Sequence, residues 1–150
     1  MSDPKSYIPR VDSNCIFCKI VAGQISCHKL YEDAQAIAFL DIAPLSRGHC
    51  LIVPKAHYET LDQAPDELVA ACAALAPRLS RAVLKATGAR AWNFLQNNGQ
   101  IAGQAVAHLH FHIIPRAAGD GLGFRWPAGE LDPKVGASLA QAISAGLSAG

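Results

Sequence analysis

Between His108 and His112 histidine alternates with large apolar residues, in the run His108-Leu109-His110-Phe111-His112-Ile113-Ile114. A strand turns alternate side chains to one side and rises about 3.3 Å per residue. Three imidazoles would therefore line up along roughly 13 Å, with Leu109, Phe111 and Ile113 facing the other way. One face packs and the other can react. Imidazole titrates near neutrality and serves as donor, acceptor, metal ligand or nucleophile. The plain alternatives are surface histidines on a half-buried strand or a fortuitous metal site, and chance seldom produces five-position alternation. His108 and His112 are too far apart on a straight strand to share one ion at Zn–N distances of about 2.0 to 2.1 Å, so the three histidines divide their work.

A second constellation is Cys15-Ile16-Phe17-Cys18, with His57 just past the run Ile52-Val53-Pro54-Lys55. Two thiolates and an imidazole need a fourth ligand, which one end of the histidine strand could supply. Two Cys and two His close a tetrahedral structural zinc site that would tie the N-terminal segment to the sheet. A redox pair and inert packing cysteines are the other readings, although the βαβ context of a thioredoxin motif is missing. Cys27, Cys50 and Cys72 read as buried small apolar residues. The loop Asn97-Asn98-Gly99-Gln100-Ile101-Ala102-Gly103-Gln104 leads into the histidine strand and can aim amides at an anion such as phosphate. A plain Asn-Gly turn is the alternative for that loop. Gly119 to Gly123 lacks the strand-then-helix context of a phosphate fingerprint and reads as a mobile loop.

Several elements must position these groups. Residues 28–32 and 36–40 read as a hairpin around Asp33-Ala34-Gln35, and residues 49–53 as a third strand stopped by Pro54. Pro65 followed by Asp66 and Glu67 starts a helix that carries Leu68, Leu75, Leu79 and Val83 and stops at Gly88. Pro77 sits inside that pattern and is expected to kink or divide the helix. Residues 92–96 follow as a strand, then the final strand from Val106 to Ile114, ended by Pro115. Leu139, Ile143 and Leu147 mark a weak terminal helix in an Ala-, Ser- and Gly-rich tail. Strands and helices are segregated, which predicts α+β with an antiparallel sheet.

Composition narrows the function classes. The 150 residues are 51% hydrophobic and 17% charged, which suits one globular domain rather than a disordered chain. Thirteen Lys plus Arg against twelve Asp plus Glu leave a net charge of +1, so no basic field for nucleic acid is present. The longest apolar run, Leu68 to Ala76, is nine residues, whereas a spanning helix needs about 20. No membrane partner is expected. Residues 1–14 are polar, carry no secretory signal pattern and are expected to form a flexible arm. Five cysteines without a disulfide framework point to a reducing, cytoplasmic setting.

The run from His108 to Ile114 resembles the defining His-φ-His-φ-His-φ-φ strand of the histidine triad (HIT) family, φ being an apolar residue. Cys15-Ile-Phe-Cys-Lys-Ile20, Phe39-Leu-Asp-Ile-Ala-Pro44, Gly48 through His57, and Asn97-Asn-Gly99 through Gly103-Gln104 fall in the order and spacing of that family. The chain is most similar to its adenosine phosphoramidase-type, Hint-like branch. The resemblance implies a HIT-like α+β fold over residues 15–150, with a core at 15–116 and a C-terminal extension at 117–150. A five-stranded antiparallel sheet, a long helix and a C-terminal helix would form it, and a homodimer would join two sheets into one. It implies a purine nucleotide (AMP-like) ligand, with His110 attacking the α-phosphorus to form a nucleotidyl-histidine. His112 would bind the phosphate and help protonate the leaving group, and His49 would orient the nucleophile. Ile16, Phe17, Phe39 and Ile42 would sandwich the base, Asp41 would accept the ribose hydroxyls, and Asn97, Gly103 and Gln104 would hold phosphate oxygens. Structural zinc would sit on Cys15, Cys18, His57 and His108.

Two departures bear on the chemistry. Ala105 stands where many members carry Ser or Thr, and loss of that donor costs about 1 to 3 kcal/mol where charge develops. The Trp126-Pro127 pair resembles a Trp-Pro segment near the active site of phosphoramidase-type members, but an extra stretch around 119–124 intervenes. Packing at a dimer surface is its other reading. The sequence therefore implies a hydrolase of purine nucleoside phosphoramidates or adenylyl esters. The alternatives are a dinucleoside polyphosphate hydrolase, which the Cys pair argues against, and a nucleotide-responsive scaffold or binding dimer with vestigial activity.

Overall fold

A computed structural model describes residues 10–123 and 125–150. Residues 1–9 of the expected arm, and Phe124, lie outside the described residues. The chain forms two compact units, one ending at Asp120 and one spanning Gly121–Gly150.

In the first unit, α1 (Ile16–Val21) precedes β1 (Lys29–Glu32), β2 (Ala36–Leu40) and β3 (Cys50–Pro54), and then α2 (Asp66–Thr87), β4 (Ala91–Gln96) and β5 (Phe111–Arg116). The strands make one sheet in the order β1-β2-β3-β5-β4, with every pairing antiparallel. This is the expected α+β architecture. β3 sits at its centre and is buried along its whole length, which is why its sequence reads as continuous apolar residues rather than as an alternation. Its even and odd positions nevertheless part company. Cys50 and Ile52 join Leu109, Phe111, Ile113 and the inner face of α2 in one core. Leu51 and Val53 join Ile37, Phe39, Phe17 and the Cys15–Cys18 turn in the other.

Pro77 neither stops nor divides α2, which runs as one helix of 22 residues. The proline removes a single backbone hydrogen bond, and buried Cys72, Ala76, Ser80 and Val83 hold the helix to the sheet on both sides of it. Gly88 caps it in the left-handed region at φ 73°, its N–H donating to the Leu84 carbonyl at 2.9 Å.

β5 departs from expectation at both ends. It begins at Phe111 rather than Val106, because the preceding segment bonds elsewhere: the Leu109 N–H donates to the Tyr58 carbonyl at 2.6 Å and the His108 N–H to that of Val106 at 2.8 Å. It continues through Pro115 to Arg116. The β3 ladder ends at the Cys50–Ile113 pair, so Pro115 has a strand neighbour only on the β4 side, and its carbonyl accepts from Ser46 Oγ at 2.7 Å. The loop read as mobile opens with a closed turn. There Asp120 accepts from Arg116 at 2.8 and 3.1 Å and from the Ala117 N–H at 3.1 Å. Residues 10–14 of the expected arm are tethered, since the Arg10 carbonyl accepts from the His57 N–H at 2.6 Å and the Arg10 guanidinium lies 4.9 Å from the Tyr58 ring centre.

The second unit contains α3 (Pro133–Ala149), capped by Asp132, whose carboxylate accepts from the Lys134 and Val135 N–H groups. Trp126 also belongs to this unit. Among the described residues, no helix is long and apolar enough to cross a membrane.

Gly48, which delivers the chain to His49, has φ +89°, and a Cβ there would lie 2.6 Å from Thr87 Cγ2 and 3.3 Å from Val83 Cγ1. Gly48→Ala is expected to lower stability by about 2 kcal/mol or more through backbone strain and overpacking. Chemical denaturation of the two proteins measures it.

Candidate active site and metal centre

The Cys15–Cys18 spacing spans the first turn of α1. Cys15 is its N-cap, and its Sγ accepts from the Cys18 N–H at 3.4 Å, which brings both thiols to one end of a short helix. His108 and His57 complete the group. His108 Nδ1 lies 3.3 Å from Cys15 Sγ and 3.7 Å from Cys18 Sγ, while His57 Nδ1 lies 3.4 Å from Cys18 Sγ and 3.1 Å from His108 Nδ1. A tetrahedron built from ordinary Zn–N and Zn–S bonds has edges of about 3.3 Å between nitrogens and about 3.6 Å between nitrogen and sulfur. The four donors fit one ion. Convergence of two imidazoles on two thiols is not needed by a redox pair or by packing cysteines, so it favours the ligand reading.

The surroundings suit that use. His108 Nε2–H donates to the Pro54 carbonyl at 2.8 Å, which leaves Nδ1 as the unprotonated nitrogen facing the thiols. Burial holds His108 down at about 4, so it is neutral as a ligand must be. Burial pushes the Cys18 thiol up, a cost that a bound cation reverses. Cys50 and Cys72 are buried as read, and Cys27 is half-buried.

His110 and His112 face a different neighbourhood. His110 Nδ1–H donates to the His108 carbonyl at 2.6 Å, so its Nε2 keeps the lone pair. Phe17 packs edge-on against the ring with centroids 5.1 Å apart, and burial lowers the His110 pKa, keeping it neutral. His112 is fixed by a chain of bonds that begins in the backbone. The Leu45 N–H donates to His49 Nδ1 at 3.0 Å, so His49 carries its proton on Nε2, which donates to His112 Nδ1 at 2.9 Å. Neutral His112 is left with a proton on Nε2. His49 therefore orients His112 rather than His110, because the Nδ1 of His110 is already committed to a carbonyl. Asp41 Oδ2 stands 3.6 Å from His49 Nε2, and its other oxygen accepts from the Ala43 N–H at 2.9 Å.

The four residues expected around a base differ in burial. Phe17 and Phe39 are buried and meet edge-on with ring centroids 5.6 Å apart. Ile16 and Ile42 are exposed, at 42% and 83%.

The donor loop contains the clearest corrections. Gln104 is buried and fully engaged, with Oε1 accepting from the Gly99 N–H at 2.7 Å and Nε2 donating to the Glu59 and Val106 carbonyls at 2.7 and 3.0 Å. Its own N–H donates to the Gly99 carbonyl, and that of Gly103 to Gln100. Neither Gln104 nor Gly103 has a donor left for phosphate; both build the loop, with Gly103 at φ +94°. Among the described residues, the Asn97 carboxamide and the N–H groups of Ala105, Val106 and Ala107 make no hydrogen bond. Sequence reading missed the three amides, because a backbone donor leaves no trace in residue type.

Comparison with known proteins bears on this pair of sites. The HIT domain pattern matches residues 22–119, about two thirds of the chain. The chain belongs to the HIT family. The Cys15–Cys18 turn lies outside the matched segment. This HIT protein is 48% identical over 118 residues to adenylylsulfatase HINT3 of Arabidopsis thaliana, a match that takes in 79% of this chain. It spans only 60% of that relative's length. It is also 48% identical over 132 residues to adenosine 5'-monophosphoramidase hnt1 of Schizosaccharomyces pombe, covering 87% of this chain and 96% of the relative. Among solved structures, a Zn-bound histidine triad family protein from Mycobacterium smegmatis superposes with a TM-score of 0.69 at 40% identity, over 88% of this chain and 97% of that one.

Two outcomes are expected. Protein purified under reducing conditions without added metal should carry about one zinc per chain by elemental analysis, and Cys18→Ser should lose it. His112 is held at about 4, chiefly by burial and then by neighbouring His110 and His49, against an ordinary 6.5. Between those values the unfolded chain binds the proton first, so this contribution to stability is intact above pH 6.5 and is lost as the pH falls toward 4. Melting temperature followed across that range should decline accordingly.

Proposed function

We propose that this HIT protein hydrolyses purine nucleoside phosphoramidates or adenylyl esters through a covalent nucleotidyl-histidine. The observation that carries the reading is the opposite protonation of two adjacent rings 4.8 Å apart, His110 with a free Nε2 lone pair and His112 with an Nε2–H. A nucleophile and a hydrogen-bond donor stand side by side, both neutral at physiological pH. His110 Nε2 attacks the α-phosphorus, forming a P–N bond as the bond to the leaving group breaks. The leaving nitrogen or oxygen departs with a proton taken from solvent while the His112 Nε2–H donates a hydrogen bond to it, and His110 gains positive charge beside it. Water then displaces neutral His110 from phosphorus, giving AMP and releasing its proton to solvent. Names of the Arabidopsis and fission yeast relatives agree with this substrate class.

In the same reading, Asn97 and the amides of Ala105 to Ala107 hold the phosphate oxygens, in place of the hydroxyl that Ala105 lacks. Asp41 accepts the ribose hydroxyls, and the base lies between Ile16 and Ile42 over Phe17 and Phe39. Cys15, Cys18, His57 and His108 hold a zinc ion that supplies structural cross-linking only. A second copy pairs its sheet with this one to make a homodimer, for which β4, an edge strand with Phe94 exposed, offers a free ladder. Five free thiols suit a reducing cytoplasm.

His110→Ala should abolish AMP release from adenosine phosphoramidate, a fall of about 10³-fold or more, and His112→Ala should cost about 10²- to 10⁴-fold. Rapid-quench mass analysis should find the nucleotidyl adduct on His110. An unchanged rate in His110→Ala sinks the mechanism, and faster release from a dinucleoside polyphosphate than from the phosphoramidate reassigns the substrate.

A further inference from the structure

Three consecutive residues, His57, Tyr58 and Glu59, connect the metal cluster to the donor loop. His57 Nδ1 lies 3.4 Å from the Cys18 thiol, the Tyr58 carbonyl accepts from the Leu109 N–H at 2.6 Å, and the Glu59 carbonyl accepts from Gln104 Nε2 at 2.7 Å. The Gln104 carboxamide also receives the Gly99 N–H and donates to the Val106 carbonyl. One buried side chain therefore pins both ends of the loop segment 99–106 and fastens it two residues beyond a metal ligand. A carboxamide with its oxygen and both amide hydrogens in use is a strut, and removing it would leave several polar groups unpaired at once. The amides left free, those of Ala105 to Ala107, follow directly on the strut.

We infer that Gln104 is a positioning residue that couples nucleotide-phosphate binding at the donor loop to metal binding at the Cys15, Cys18, His57 and His108 cluster. The inference rests on the reading of that loop as the phosphate site. Ligation of His57 fixes the carbonyl on which the strut bears, so an occupied cluster holds the free amides in place. By thermodynamic reciprocity, a phosphate on those amides must tighten the grip on the metal by the same factor.

The test uses the full-length protein loaded with Co(II), whose visible absorption reports thiolate ligation, and AMP as the nucleotide. Calorimetry should show AMP binding about fivefold or more tightly to loaded than to metal-stripped protein, and AMP should lower Co(II) loss to a chelator by the same factor. Gln104→Met should keep the Co(II) spectrum and bring that factor toward one. A factor unchanged in Gln104→Met overturns the role of the strut, and equal AMP affinity with and without metal overturns the coupling. Should the stripped protein or the variant fail to fold, chelator competition on loaded wild-type protein still decides. Co(II) retained more tightly with AMP supports the inference, and retention indifferent to AMP overturns it. Failure of AMP to bind the loaded protein overturns the nucleotide reading itself, an outcome distinct from binding without coupling.

Discussion

The carbonyl of His108 is the point on which both halves of the site turn. It accepts the Nδ1–H of His110 at 2.6 Å, so where residue 108 goes the His110 ring must follow. The side chain of the same residue enters the metal cluster, and its other ring nitrogen donates to Pro54 on the central strand. A surface carbonyl would have water as a competing acceptor and would leave the imidazole free to choose its tautomer. Buried, it has one partner, and the choice is made before any ligand arrives.

The three histidines thus differ although the sequence presents them as equals. His108 has its unprotonated nitrogen turned to the thiols, His110 has Nε2 free, and His112 has Nε2 protonated, each because of a different hydrogen bond. Burial acts on all three alike, lowering their proton affinity so that they stay neutral near pH 7. Geometry distinguishes the rings and desolvation keeps them usable.

What was legible in the sequence was whatever a side chain announces. The alternation at Leu109, Phe111 and Ile113 gave the inner face, the Cys15–Cys18 spacing gave the turn where two thiols meet, and turn residues between short β-prone runs gave the five strands. The start of β5 was not legible, because the segment from Val106 to His110 looks like a strand but bonds to the Tyr58 carbonyl and to itself. The expected division at Pro77 does not occur, since packing on both sides of it offsets the cost of one lost backbone hydrogen bond. Gln104 was read as a ligand residue because a carboxamide can serve a phosphate or a backbone equally well, and only the positions of the Gly99 N–H and the Glu59 carbonyl decide between them.

Leu45 enters the site through its amide alone. Its side chain is exposed, so an exchange that keeps the backbone amide keeps the bond to His49. Proline is the exception, because it has no N–H to give and would release His49 from its tautomer. A position that looks free to vary in any comparison of side chains is thus constrained by a single forbidden residue.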